Sequence, residues 1–329
     1  VRWSVEVGEY VSALDAAAHG HAIIYGDGGG AVGLHDAECG EPLGAASSHA
    51  TTVVAACLSA DGRHWASASI DGAVQIGQVG GASSFVRRPG GEAAALAWSP
   101  GGDRLAAAVG RSVEVFSVEG ARVAAVDGLP STVAGVAWSS RGHTLAAACY
   151  GGVHLFAIGA DAPARHLPWK GSLLGLGWSP DESVIAASSQ DGSVHFWRLA
   201  TGQDSEMRGY PFKPKLLAWS PDSRWLATSG AASVTVWSFT GGGPEGTAPR
   251  VLEGHRGLVS GLSFAPGGHV IASASEDTSI LVWDLDRGDR PVRFAFLEEV
   301  PTALAWAAGG RTLVAAGDEG TLRAWEAPR

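Results

Sequence analysis

The chain has 329 residues and a net charge of −10, and lysine occurs only at Lys170, Lys213 and Lys215. No basic run exceeds Arg87-Arg88, which argues against duplex nucleic acid as a target, because binding phosphate needs an electropositive face. No apolar run approaches the roughly 20 residues of a membrane span. Cys39, Cys57 and Cys149 form no CxxC pair, as expected of reduced thiols in a cytoplasmic protein.

Segments of five to seven residues with apolar period-2 alternation, separated by Pro/Gly/Asp turns, read as antiparallel strands, and no stretch sustains a 3.6-residue period. The chain is expected to be all-β. The 47 glycines cluster at turns, and 46% hydrophobic content with 13 Trp fits strands packed face to face. Two anchors count the units. Residues of the Leu-Ala-Trp-Ser type fall at Trp98, Trp138, Trp178, Trp219, Phe264 and Trp306, with Leu58 and Ala16 as weaker equivalents. An apolar residue three before the unit-closing position falls at Val32, Val74, Val113, Val153, Val194, Val234, Ile280 and Leu322, at spacings of 39 to 46 residues. Each anchor gives eight units.

In chain order, residues 1–8 hold an alternating strand at 2–7 that is expected to supply the outer strand of the last unit, so that one closed domain spans 1–329. Unit one (9–48) is the most divergent, with His35 at the closing position. His19, His21, His35 and Asp27 contain metal-ligand types, but the first two fall at a turn opposite Asp27, so no metal site is expected. Gly26-Asp27-Gly28 precedes no helix and is no dinucleotide fingerprint. Unit two (49–89) keeps His49 and Asp71 but closes on Gly77; units three (90–129) and four (130–169) close on Phe116 and Phe156. Unit five (170–209) carries Asp191 and Trp197. Unit six (210–254) opens on Tyr210-Pro211-Phe212-Lys213-Pro214-Lys215, the least repeat-like segment. Outer strands are expected at 42–46, 84–88, 122–126, 165–168, 203–208, 250–252 and 291–296.

Unit seven (255–297) is the most complete: Gly254-His255, an alternation through Phe264, the turn Pro266-Gly267-Gly268, then Asp277 and Trp283-Asp284. This combination resembles a WD40 repeat. Unit eight (298–329) keeps Trp306 and Trp325, with Glu319 at the turn-Asp position. The resemblance implies an eight-bladed β-propeller of four-stranded antiparallel blades, closed by the N-terminal strand joining the last blade. It also implies a structural hydrogen-bonded set of His255, Ser273 or Ser275, Asp277 and Trp283. Ser-His-Asp here is not read as a hydrolase triad, because the strand serine has neither a strained exposed turn nor an oxyanion hole.

In such propellers the face carrying the d–a and b–c loops commonly docks partners, strands being lettered a to d from the channel outward. Register projects onto it the residues four and six before the innermost anchor and the one before the turn Asp. Of these, Tyr10, Glu92, Leu174, Gln190, Lys213, Lys215, Leu258, Glu276 and Asp318 are the candidate partner-binding residues, mixing apolar and charged groups as a protein or peptide rim does. Glu276 and Asp318 are expected to face the lysines as an acidic side.

No phosphate loop, HExxH, nucleophile elbow or paired-Cys motif occurs, so no cofactor is expected. The expectation is a non-enzymatic protein- or peptide-binding scaffold. The alternative is a small-ligand or metal-binding enzyme using the central channel, whose projected lining is mostly Ala, Gly, Val and Leu; a homo-oligomeric subunit is a third reading. The chain starts at Val1 without an initiating methionine, as an excised domain or a chain with a processed N-terminus would. It contains no asparagine, which excludes N-linked glycosylation and, with arginine preferred to lysine, points to a bacterial source.

Overall fold

The computed structural model describes residues 1–44, 47–88, 90–158 and 165–327. Apart from one short 3-10 turn at Ala308–Gly310, its regular structure is β-strand. Among the described residues no helix is long and apolar enough to cross a membrane. Antiparallel strands form a propeller, and unit seven shows the pattern: Val259–Phe264 (a), Val270–Ser275 (b), Ser279–Asp284 (c) and Pro291–Phe296 (d) pair in sequence order.

The expected eight four-stranded blades are corrected by the sheet topology. Counted as hydrogen-bonded sheets, the propeller has seven blades, six of four strands and one of six. The six-stranded blade carries units four and five together. Its second strand, Thr144–Ala157, runs through the turn that separates b from c elsewhere, with Gly151 and Gly152 at φ +92° and +130°, values open to glycine at little cost. Its third strand, Arg165–Trp178, is the outer strand of unit four in its first half and the innermost strand of unit five in its second. Tyr150 pairs with Ser172, so ladder bonds continue across the d–a connection, where Trp169-Lys170-Gly171 replaces the usual Gly-His.

The first strand, Trp3–Glu6, lies antiparallel on Thr321–Glu326, with Trp3 opposite Ala324 and Glu6 opposite Thr321. The sheet that ends the chain is therefore completed by its beginning, and its edge is covered. Trp3 also donates its indole N–H to Ala37 O at 2.9 Å, across to unit one. In unit one the outer strand is Ser47–Ser48, with a bridge from His35 to Pro42, in place of the expected strand at 42–46; residues 45 and 46 lie outside the described set.

Each apolar cluster is shared by consecutive units. Ile24, Val32 and Leu34 of unit one pack with Val53, Leu58 and Trp65 of unit two, and Ala146, Val153 and Leu155 of unit four pack with Ile185 and Trp197 of unit five. Trp197 and Trp283 are essentially fully buried; truncating such a side chain costs about 3–5 kcal/mol. In units one and two, which close on His35 and Gly77, a strand-b aromatic packs over a strand-c glycine. The Trp65 ring lies over Gly77, so close that a Cβ there would meet it at 2.4 Å, and Tyr25 does the same over Gly33.

The innermost strands are tied by a repeated side-chain bond. Trp98 Nε1 donates to Cys57 O (3.3 Å), Trp138 to Ala97 O (3.0 Å), Trp178 to Ala137 O (3.1 Å), Trp219 to Gly177 O (3.2 Å) and Trp306 to Ser263 O (3.1 Å). Each indole reaches the carbonyl one residue before the anchor of the preceding unit. Deleting residues 1–8 should lower the thermal midpoint by several degrees and expose the strand Thr321–Glu326 to self-association; an unchanged midpoint in a monomeric product would contradict the closure.

Candidate functional site

A cavity of about 730 Å3 opens on the face carrying the d–a and b–c loops, across units five to seven. Three turns and one segment build it. The b–c turn of unit five supplies Gln190 and Asp191, that of unit six Gly230 and Ala231, and that of unit seven Glu276; the segment 210–216 supplies Tyr210, Phe212, Lys213 and Lys215; Leu258 and Val259 enter from the start of the innermost strand of unit seven.

Tyr210 anchors that segment. Its hydroxyl accepts the Trp237 indole N–H at 2.7 Å and lies 2.9 Å from Thr228 Oγ1, whose own proton goes to Thr235 O. Tyr210 therefore donates to Thr228, and burial pushes its phenol up to about 12. With the tyrosine held, Phe212 projects outward, 60% exposed, beside Leu258 at 39%. Lys213 Nζ donates to Gln190 Oε1 at 2.7 Å, and Asp191 is occupied by the Ser193 N–H and hydroxyl. Lys215 and Glu276 are exposed, and among the described residues neither makes a side-chain hydrogen bond or ion pair. The cavity thus joins an apolar wall to charges of both signs, of which Lys215 and Glu276 have no side-chain partner among the described residues.

Five of the nine projected residues, Gln190, Lys213, Lys215, Leu258 and Glu276, line this cavity. Tyr10, Glu92, Leu174 and Asp318 do not. Tyr10 packs its ring over Gly28, and Asp318 accepts the Val300 N–H at 3.0 Å, so its carboxylate ties the b–c turn of unit eight to the d–a connection beside it.

The set in unit seven forms a buried chain. Trp283 Nε1 donates to Ser273 Oγ at 2.9 Å, which lies 2.7 Å from His255 Nε2; His255 Nδ1 lies 2.6 Å from Ser279 Oγ, which donates to Asp277. Because the Ser279 proton is committed to a carboxylate, Nδ1 carries the imidazole proton and Nε2 accepts from Ser273. Ser275 stands outside this chain, accepting only the Asp277 N–H, and Ser279 was not among the residues projected from sequence. The Asp277-Thr278-Ser279 spacing, repeated as Asp191-Gly192-Ser193, is the signal that marks it. Gly257 is required beside it, since a Cβ there would lie 2.7 Å from Asp277 N. Burial works against the Asp277 charge, but the Ser279 hydroxyl and the Arg256 and Ser279 N–H groups outweigh it and hold the carboxyl far below its usual range. Ser273 is wholly buried, so it offers no accessible nucleophile.

His19, His21, His35 and Asp27 are not assembled. His35 Nδ1 donates to Gly40 O, Asp27 accepts the Ala31 N–H, and His21 lies 3.8 Å from Glu38. Among the described residues no cluster of three or more His, Cys, Asp or Glu side chains is placed to hold a metal ion.

One acidic residue of the channel was missed. Asp15 occupies the position before the innermost anchor, held elsewhere by Cys57, Ala97, Ala137, Gly177, Ala218, Ser263 and Ala305; comparing the units at that position exposes it. Its Oδ2 accepts the Leu58 N–H at 2.9 Å. Burial pushes its carboxyl up to about 6, against the Leu58 and Ala16 N–H groups that hold it down.

Burial also lowers the imidazoles of His49, His154, His195 and His255, opposed at His49 by Asp71, at His195 by Asp204 and at His255 by Asp277. Such a group favours the fold fully above its unfolded value of 6.5, and that contribution is lost as pH falls through the folded value. Asp15 acts in the opposite sense, since the folded protein takes up its proton first between about 6 and 3.8. Four imidazoles outnumber one carboxyl, so the urea midpoint should be lower at pH 5 than at pH 7.5, and Asp15→Asn should steepen that loss. A midpoint equal or higher at pH 5 would contradict neutral buried imidazoles.

A family model described as "WD domain, G-beta repeat" matches residues 165–198, 217–238 and 246–284, the stretch of units five to seven that also bears the cavity. The chain is 31% identical over 159 residues to transducin beta-like protein 3 of Mus musculus, covering 44% of this chain and 19% of that protein. It is 30% identical over 151 residues to small ribosomal subunit protein RACK1y of Oryza sativa subsp. japonica, covering 43% of each. It is 36% identical over 107 residues to protein HIR1 of Mycosarcoma maydis, covering 30% of this chain and 10% of that one. The chain thus spans less than half the length of these relatives. They are eukaryotic and lend no support to a bacterial source. A solved structure of the computationally designed Ika8 protein superposes with a TM-score of 0.81 at 19% identity, over 98% of this chain and 97% of that one, a likeness of fold alone. Together these matches support a WD40-repeat β-propeller.

Proposed function

We propose that the chain is a non-enzymatic interaction module that docks an extended segment of a protein partner in the cavity across units five to seven. The observation that carries this reading is the combination of Lys215 and Glu276, both exposed and without a side-chain partner among the described residues, with the apolar surface of Phe212 and Leu258. Rims of this kind use apolar contact for affinity and charge for orientation. The matches reported above indicate no enzymatic family. The docking set is narrowed to Gln190, Lys213, Lys215, Leu258 and Glu276, with Phe212 added. We place the module in the cytoplasm, because Cys39, Cys57 and Cys149 are all free thiols.

The test is affinity capture from source-cell lysate, followed by titration of the recovered partner against purified protein. Lys213→Glu with Lys215→Glu, and separately Glu276→Lys, should each weaken binding at least tenfold, while Glu92→Lys, outside the cavity, should leave it unchanged. Full binding by both cavity variants would remove this site.

A further inference from the structure

The indole ties around the channel are interrupted where the anchor is not tryptophan. Anchors Ala16, Leu58 and Phe264 carry no side-chain N–H, so among the described residues no indole reaches the carbonyls of Ala305, Asp15 and Ala218, the positions equivalent to those bonded in other units. At the channel mouth opposite the docking face there is a cavity of about 400 Å3, lined by Asp15, Ala16, Phe264, Pro266, Ala305 and Trp306 among others. It lies where the side chain of a tryptophan at position 16 would otherwise reach across to the last unit. Asp15 is the one charged residue among its lining.

We propose that this second cavity is a binding site for a planar organic cation, a guanidinium group, which takes the place of the missing indole. The polar groups that the interrupted ties leave there are acceptors: the Asp15 carboxylate and the unreached carbonyl of Ala305. A ligand must therefore bring donors. A guanidinium brings five N–H groups in one plane, is weakly hydrated for a cation, and stacks on aromatic rings such as those of Trp306 and Phe264. A compact ammonium or a metal ion would match the carboxylate but not the flat aromatic walls. The site is independent of the docking cavity, with which it shares no residue.

Calorimetric titration of purified protein tests it with N-acetyl-Gly-Arg-Gly-amide, its citrulline counterpart of the same shape without charge, and agmatine as a free small molecule. The arginine peptide, agmatine or both should bind, with the tighter of the two identifying the source. The citrulline peptide should bind at least tenfold more weakly. Asp15→Asn should reduce affinity at least tenfold. Ala16→Trp should abolish binding without lowering the thermal midpoint, because its indole fills the space and reaches Ala305 O. Lys215→Glu should leave affinity unchanged, which separates failure here from failure of the docking site. Absence of binding by both cationic probes, equal binding of the citrulline peptide, or undiminished binding by Asp15→Asn would overturn the proposal.

Discussion

The structure depends on the channel-side bond in which a tryptophan of one innermost strand donates its indole N–H to a carbonyl of the strand before it. Those carbonyls belong to residues already paired with strand b, as Cys57 with Ala66 and Ala97 with Ala106, so the indole adds a second hydrogen bond, worth about 0.5–1.5 kcal/mol. One side chain therefore does two things: it fills the wedge between units and bonds to the innermost strand of its neighbour. Stability in such an array is the sum of neighbour contacts, so the tie strengthens the ring from unit two to unit six and between units seven and eight, and the remaining junctions are held by other means. Asp15 compensates by meeting the Leu58 N–H with its carboxylate. The start of the chain compensates by pairing with its end.

The cavity across units five to seven follows from a second substitution of the same kind. Unit seven satisfies its closing indole through Ser273 and His255; unit six has no such histidine and satisfies Trp237 through Tyr210. Since Tyr210 begins the segment that carries Lys213 and Lys215, the bond that completes the blade also fixes the rim of the site. The unusual Tyr-Pro-Phe-Lys-Pro-Lys composition thereby has a structural cause at its first residue, while Phe212 and Lys215 stay exposed.

Much of this was legible in the residues. Period-2 alternation and the spacing of Val32 through Leu322 marked the strands, and register arithmetic placed Gln190, Lys213, Lys215, Leu258 and Glu276 on one face. The sheet count was not legible, because the merging of units four and five depends on one cross-strand pair, Tyr150 with Ser172, and on two glycines that read as an ordinary turn. Repeat spacing counts units; hydrogen bonding decides how they are grouped into blades. Asp318 illustrates the limit of projection: it occupies the register position of Glu276, yet the Val300 N–H of the neighbouring d–a connection claims its carboxylate. Ser279 and Asp15 were missed because attention went to family positions and aromatic anchors, while their roles come from the residues beside those positions.

Site-specific photo-crosslinking decides whether the cavity docks a partner, with a benzophenone side chain replacing Leu258 inside the cavity or Phe85 on an outer strand. The Leu258 probe should capture one discrete partner and Lys215→Glu should suppress the adduct, while the Phe85 probe should capture none. Equal adducts from both positions, or an adduct at Leu258 indifferent to Lys215, would contradict docking there.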